Sequence, residues 1–324
     1  GATLSAFWIM AANSWMQIPL GVTLENGKLI VTDYFAAIFN PGTIVSFSHM
    51  MGACIVTTMF MMMGISAMMM LRKNVEERSR QFFLDTFKYC LLLAIFVTPI
   101  QLVVGDLAGL VVKDHQPAKL AATELHWDTN AEGTGAPWNI IAIPAAEGGY
   151  NTFEIGIPNA LSLITTRTTD GTVQGLNDFA PEVRPTVIES TIVFYSFRVM
   201  LAIGVALMLL ALLGAWYWKR GKLRTIESSK YRLFWWLFVL ATPIGFIASI
   251  AGWMVREIGR QPWVVYNILR TEHGLSANLN ANVVLTSAVI FNLIYIVFGY
   301  LFIYFTWKLV KKGPDFEQPW PTRI

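Results

Sequence analysis

The chain has 324 residues, of which 55% are hydrophobic and 14% are charged, with a formal net charge of +3 at neutral pH. Its mean hydropathy of +0.50 is far above that of a soluble domain of this length and excludes an ordinary water-soluble enzyme. A net charge this small gives no reason to expect nucleic acid as a partner.

Six apolar runs are long enough for membrane-crossing helices, because a bilayer core requires about 20 apolar residues in helical form. They are residues 2–22, 43–71, 83–105, 189–218, 231–257 and 279–307. We therefore predict an all-α polytopic transmembrane helical bundle of six spans with a large extracytoplasmic loop. The expected segments are transmembrane helices over 1–105, the loop over 106–188, transmembrane helices over 189–312 and a cytoplasmic tail over 313–324.

Lysine and arginine are concentrated in three connections on one side of this predicted bundle. These are residues 72–80, residues 219–232 and the stretch after the last span. The positive-inside rule makes that side cytoplasmic, so both ends of the chain are expected inside and residues 106–188 outside.

His49 is the only histidine inside an apolar span, about six residues or roughly 9 Å from the predicted outer face. An ionisable side chain at membrane depth indicates a functional site. The residues alone leave two interpretations open. His49 is either a haem ligand or a neutral histidine bonded to a neighbouring carbonyl.

A haem iron in a redox cytochrome commonly takes His or Met as its second axial ligand. The apolar spans hold no second histidine, and the 14 methionines are too many for chemistry alone to choose among. Met200 does lie close to Arg198, an arginine deep in an apolar run, which indicates either a nearby anion or a salt bridge to another helix. Residues two apart do not share a helix face, so Arg198 would flank a ligand held by Met200.

The stretch GWMVREIGRQPW, residues 252–263, places charge at the end of an apolar run. Trp253, Glu257 and Arg260 have the spacing i, i+4, i+7 and share one helical stripe. The stripe offers either a carboxylate with an aromatic shield and a counter-charge, or a plain ion pair between Glu257 and Arg260. His49, Met200 and Glu257 come from three helices and all fall in the outer half of the predicted membrane.

Three arginines, Arg256, Arg260 and Arg270, fall on the side that the positive-inside rule leaves poor in positive charge. An anionic ligand, such as haem propionates or a lipid phosphate, would retain them by bidentate pairing. The alternative is pairing with Glu257 and Glu272 alone.

GWxxxExGRQPW, matched from Gly252 to Trp263, is a signature of subunit I of the cytochrome bd quinol oxidases. The stretches SHMMGA, SFRVM, KLAATE and SAFWIMAANSWMQ are also similar to segments of that family, so the resemblance covers the whole chain. It implies a haem-containing respiratory enzyme that oxidises quinol at the outer face and reduces dioxygen to water, electrogenic without proton pumping. The implied location is the cytoplasmic membrane of a bacterium or archaeon.

The resemblance also implies roles for single residues in this sequence. His49 and Met200 resemble the axial ligands of a low-spin haem b, with Arg198 beside that haem. Glu257 resembles the ligand of a high-spin haem b. Three further residues are implied near the haems: Trp253 packed against the pair, Arg260 near propionates, and Asn13 by the high-spin haem and its proton route.

Within the predicted loop, Lys119 and Glu124 of KLAATE match family residues implicated in quinol oxidation, and Asp106 is a further candidate. The chemistry suits such a role, because a carboxylate can accept a quinol proton while a cation polarises the ring oxygens. The loop length resembles the short-loop branch of the family.

The implied cofactors are low-spin haem b, high-spin haem b and haem d. The implied partners are subunit II, a small accessory subunit, ubiquinol or menaquinol, and dioxygen. The axial histidine of haem d is expected in three upstream spans of a longer subunit, of which this sequence would be a truncated record. A natural short paralogue is the alternative. Two other functions stay open: a membrane b-type cytochrome electron carrier without an oxygen site, and a haem-free transporter.

Overall fold

The computed structural model describes residues 1–73, 75–224, 229–275, 280–314 and 316. The described residues form ten α-helices and three antiparallel two-stranded sheets. The helices are α1 (Ala2–Gln17), α2 (Tyr34–Ile38), α3 (Pro41–Leu71), α4 (Glu77–His115), α5 (Pro117–Glu124), α6 (Ala160–Thr166), α7 (Val187–Lys219), α8 (Ser229–Ala241), α9 (Ile244–Ile258) and α10 (Ala281–Lys312). The strands are β1 (Val22–Glu25), β2 (Lys28–Val31), β3 (Trp138–Pro144), β4 (Asn151–Ile157), β5 (Trp263–Val265) and β6 (Leu269–Arg270).

Five segments of the described chain are helical, long and apolar enough to cross a membrane. They are Tyr34–Leu71, Glu77–His115, Val187–Lys219, Tyr231–Ile258 and Ala281–Lys312. The helical membrane class is thus confirmed, but the predicted count of six spans is not. The run 2–22 yields only the 16-residue α1. Pro19, which cannot donate a helical hydrogen bond, and Gly21, with φ of +70°, follow its end.

The predicted span 231–257 is broken into two helices. α8 ends at Ala241 and α9 begins at Ile244, with Pro243 in the N-cap position. Proline lacks the amide hydrogen that a continuous helix would need there, so the break falls at this residue. Glu257 then lies in the last turn of α9.

The bundle core lies where α3, α4, α7 and α8 meet. Phe60, Met63, Phe87, Trp235 and Phe238 are fully buried in one apolar cluster. The ring centroids of Phe87 and Phe238 are 4.7 Å apart in an edge-to-face arrangement, which favours a fixed geometry over simple burial. This core lies away from the polar residues described below.

The first ten residues of the predicted loop 106–188 continue α4, and the rest of it is folded. Because α4 continues to His115, Asp106 lies within that helix and the connection starts at Gln116. The connection contains α5, the hairpin of β3 and β4, and α6. A buried cluster that includes Leu125, Leu176 and Phe194 attaches it to α7. We call the side of the bundle that carries this connection the loop side, and the side where α3 ends at Leu71 and α4 begins at Glu77 the basic side.

Side chains fix the starts of two helices on the loop side. Asn40 accepts a hydrogen bond from the amide of Gly42 at the start of α3, with Pro41 in the first turn. Thr186 and Glu189 form a capping box at the start of α7. The predicted tail 313–324 falls outside the described residues at position 315 and from position 317 onward.

Candidate functional site

Glu257 is held at both of its oxygens. Asn13 of α1 donates to Oε1 at 2.7 Å, and Arg260 donates to Oε2 at 2.6 Å. The predicted ion pair between Glu257 and Arg260 is therefore present. Arg260 is buried, and its Nε and Nη1 have no hydrogen-bond partner among the described residues. A carboxylate has about four lone-pair positions, so Glu257 retains the capacity to bind a metal while these hydrogen bonds stay intact.

Arg256 joins α9 to α1 and α3 next to Glu257. Its Nε donates to Asn13 Oδ1 in a short hydrogen bond, its Nη1 donates to Ser46 Oγ at 2.9 Å, and its Nη2 donates to Ser14 Oγ at 3.0 Å. Asn13 thereby links Arg256 to the Glu257 carboxylate. All three acceptors of Arg256 are neutral oxygens.

Lys119 reaches the same cluster from α5. Its Nζ donates to Gln17 Oε1 at 3.0 Å and to the carbonyl oxygen of Arg256 at 2.9 Å. Gln17 also donates to the carbonyl of Arg256, at 3.2 Å. Burial lowers the pKa of Lys119 well below its usual 10.5, and the nearby Arg256 lowers it further, while Glu257 acts in the opposite direction.

His49 lies on α3 against the neighbouring α4. Its Nδ1 is 3.2 Å from Gln101 Nε2, and Gln101 also donates to the His49 carbonyl at 2.8 Å. A Cβ added to Gly105 would lie 3.1 Å from His49 Cε1, so only glycine leaves the imidazole its place. With Nδ1 engaged, Nε2 is the ring nitrogen left for a ligand, which is the usual arrangement in metal-binding histidines.

Met200 has a similar environment on α7. A Cβ added to Gly252 of α9 would lie 3.0 Å from the Met200 sulfur, so a glycine again provides the space for a candidate axial side chain. Trp253, the next residue on α9, is 39% exposed and available to an added group. Histidine and methionine are both common axial ligands of haem iron, so His49 and Met200 are chemically suited to that role.

Arg198 is buried and forms hydrogen bonds that connect α7 to the loop-side connection. It donates to Glu124 Oε2 at 2.5 Å, to the Thr123 carbonyl at 2.7 Å and, through Nε, to the Asn139 carbonyl at 2.9 Å. Arg198 is 9% exposed and Glu124 is 4% exposed. Burial raises the pKa of Glu124, although Arg198 acts to lower it. The salt-bridge alternative for Arg198 is thus realised, with a partner on α5.

The three predicted quinol residues do not form one cluster. Lys119 faces α1 and α9, whereas Glu124, five residues along α5, faces Arg198 on α7. Asp106 pairs with Arg167 of α6 through two hydrogen bonds, one of them at 3.1 Å, and both side chains are partly exposed. The sequence identified these acidic and basic residues but not their separate partners.

Of the three arginines predicted on the loop side, two have carboxylate partners. Arg260 pairs with Glu257 and Arg270 with Glu272, at 2.6 and 3.1 Å. Pairing with the two glutamates therefore accounts for these two. Arg256 has no carboxylate within 4.0 Å in the described part of the chain.

Sequence reasoning did not identify several polar partners, all of them uncharged side chains inside apolar runs: Ser14, Gln17, Ser46 and Gln101. It also did not identify Gln116, a buried side chain of the predicted loop. The signal available was a polar residue within a predicted span, and Gln101 in particular stands in the middle of an apolar helix.

The bundle, its polar cluster and the folded connection define a polytopic helical membrane protein whose spanning helices carry candidate metal-binding side chains. The family described as cytochrome bd terminal oxidase subunit I matches residues 1–314, and the chain belongs to that family.

Known proteins agree with this assignment. The chain is 32% identical to cytochrome bd ubiquinol oxidase subunit 1 of Bacillus subtilis (strain 168), with 98% of this chain and 67% of that protein aligned. It is 28% identical to cytochrome bd-II ubiquinol oxidase subunit 1 of Escherichia coli (strain K12), over 98% of this chain and 72% of that one. The structure of bd oxidase from Geobacillus thermodenitrificans is similar with a TM-score of 0.80 and 29% identity, over 97% of this chain and 68% of that chain.

Proposed function

We propose that this chain acts as the haem-containing subunit of a respiratory quinol oxidase, which takes electrons from quinol at the outer membrane face and delivers them to dioxygen. Family membership supports the reaction class. One structural observation carries the proposal. The Glu257 carboxylate lies in the last turn of α9, and Asn13 and Arg260 donate hydrogen bonds to its two oxygens.

The residues present fit two b-type haems. His49 and Met200 would hold the low-spin haem b, each beside a glycine of the next helix, and Glu257 would hold the high-spin haem b near Trp253. The two unpartnered donors of Arg260 suit a propionate. Haem supplies one-electron transfer when bound. Haem d is also proposed as a cofactor of the complex.

Quinol would be oxidised at the loop side. Lys119 is placed to bind a ring oxygen, and burial lowers its pKa, which favours proton exchange. Glu124 would accept a proton or position the α5 segment through Arg198. Asp106, paired with the exposed Arg167, is the third candidate.

The remaining parts of the proposal concern the assembly and its orientation. Both ends of this chain would lie in the cytoplasm and residues 106–188 outside, so that protons are released outside and taken up inside without pumping. Subunit II, a small accessory subunit and dioxygen are the proposed partners. The segment boundaries at residues 105, 188 and 312 are proposed with this orientation.

The first test is a reduced-minus-oxidised optical spectrum of the complex with subunit II, purified as wild type and with His49→Ala. We expect the low-spin haem b signal to be lost in His49→Ala and retained in the control His273→Ala, because His273 is an exposed histidine beyond α9. Colourless protein in every form would overturn the haem assignment and favour a transporter.

A further inference from the structure

A small cavity lies between α1, α3, α4, α5 and α9 on the loop side. Its volume is about 50 Å³, which accommodates a monatomic ion with a few waters. Polar side chains from four of these helices line it, among them Ser46, Gln116, Lys119 and Arg256. The residues Ala108, Val111 and Val112 of α4 provide an apolar wall.

The cavity carries two cations without an acidic partner. Lys119 is 4% exposed, and its hydrogen bonds go to an amide oxygen and a backbone carbonyl. Arg256 donates only to an amide oxygen and two hydroxyls among the described residues. No aspartate or glutamate of the described chain lines the cavity, and neither cation has a carboxylate within 4.0 Å there. The nearest carboxylate, Glu257, is already paired with Arg260 at 2.6 Å, so three cations share one negative charge. Buried charges without enough counter-charge are costly, and this arrangement therefore favours an added negative charge.

A hydrogen-bond donor in the cavity lining also has no partner. Gln116, the residue between α4 and α5, is 2% exposed, and its Nε2 is buried without a hydrogen-bond partner among the described residues. A buried amide donor without a hydrogen-bond partner is unfavourable, and native structures rarely contain one. An acceptor in the cavity would satisfy it.

The start of α3 adds to the positive potential. Gly42, Val45 and Ser46 belong to the first two turns of this 31-residue helix and line the cavity. The positive end of a helix dipole favours anions within the first turn. Helix, cations and unpaired donor thus surround one small space.

From this arrangement we propose that the cavity binds a small inorganic monoanion of the size of chloride or bromide, held by Lys119, Arg256 and Gln116. The site goes beyond the proposed oxidase function, because its ligand is neither haem nor quinol. The bound ion would balance the charge of the two cations.

The first test is made on the purified complex with subunit II, and bromide is the probe. The midpoint of thermal unfolding is measured as sodium bromide replaces sodium gluconate at constant ionic strength. We expect a saturable rise with bromide, because an ion that binds only the folded state stabilises it. Gln116→Leu should weaken the apparent bromide affinity by about tenfold or more, since a donor to a charged group is lost. Lys113→Gln is the matched control, because Lys113 lies three residues away at the exposed end of α4 and pairs with Asp114.

The second measurement locates the ion directly. Crystals of the wild-type complex grown in bromide should show an anomalous difference peak within the cavity, and this result decides the matter even if Gln116→Leu does not fold. The proposal is overturned by an absent bromide effect, by an undiminished effect in Gln116→Leu, or by a cavity filled with water or with a haem carboxylate. The haem spectrum and quinol oxidation rate of the same samples test the oxidase function separately.

Discussion

Lys119 is buried, unlike an ordinary lysine side chain. A lysine on a protein surface is a hydrated point charge, whereas this ammonium lies in the interior between Gln17 and the Arg256 carbonyl. A buried lysine with a lowered pKa is suited to proton exchange and to polarising an oxygen. Its position at the junction of α1, α5 and α9 also makes it the link between the connection and the Glu257 cluster.

Lys119→Ala should therefore reduce quinol oxidation by about a hundred- to a thousandfold while the haem content stays unchanged, because one preorganised donor contributes about that much. The measurement is the steady-state rate with a soluble quinol, normalised to haem from the reduced-minus-oxidised spectrum. Lys113→Ala, an exposed lysine of α4, should leave both unchanged. Loss of haem in Lys119→Ala would instead assign the residue a structural role.

His126 gives the connection a dependence on pH. Its Nε2 lies 3.1 Å from the Val173 carbonyl, and burial lowers its pKa below the usual 6.5, although that contact acts to raise it. His126 therefore binds a proton at a higher pH in the unfolded connection than in the folded one. The contribution of His126 to the stability of the folded connection is complete above about pH 6.5 and decreases as the pH falls below that value.

Limited proteolysis of the complex should thus cut the connection faster at pH 5.5 than at pH 7.5. His126→Gln, which keeps a hydrogen-bond donor but does not titrate, should show a much smaller difference between the two pH values. An equal acceleration in wild type and His126→Gln would assign the pH effect to other groups.

At the scale of elements, Arg198 is one of the buried contacts that join the connection to the bundle. Arg198 extends from α7 to α5 and β3, and its guanidinium also lies 3.9 Å from the centroid of the Phe194 ring. Removing one partner of a buried ion pair leaves the other charge uncompensated, which costs about 3–5 kcal/mol. The exposed pair of Asp106 and Arg167 should contribute much less.

These two pairs allow a matched comparison by thermal unfolding of the complex. Arg198→Met and Glu124→Leu should each lower the midpoint clearly, and the double variant should lose less than the sum of the two. Asp106→Ala should change it little. Strict additivity of Arg198→Met and Glu124→Leu would show that the two side chains do not depend on each other.

The positions of most helices could be predicted from hydropathy, and those of their polar partners could not. α3, for example, begins at Pro41 and ends at Leu71, close to the predicted 43–71, because a long apolar run leaves little choice. The break at Pro243 was missed since both sides of it are equally apolar. The hydrogen bond from Lys119 to Gln17 joins residues 102 apart, and no local pattern encodes such a contact.

At the scale of the whole molecule, the connectivity gives the two ends of the bundle different chemical characters. Two segments lie on the loop side. The hairpin of β1 and β2 comes before α3, and the connection from Gln116 onward comes after α4. The turn after α3, with Arg72 and Lys73, lies on the basic side. The positive-inside rule assigns the basic side to the cytoplasm, and the quinol site would then face outward.

Cysteine accessibility in intact cells tests this orientation. Cys54 and Cys90 are replaced by serine, and Lys28→Cys in the hairpin is compared with Lys73→Cys after α3. A membrane-impermeant maleimide should label Lys28→Cys in intact cells, whereas Lys73→Cys should react only after permeabilisation. The reverse pattern would place the connection in the cytoplasm. Quinol protons released there could not contribute to a proton-motive force, so the electrogenic part of the proposal would be wrong even if the haem ligands were correct.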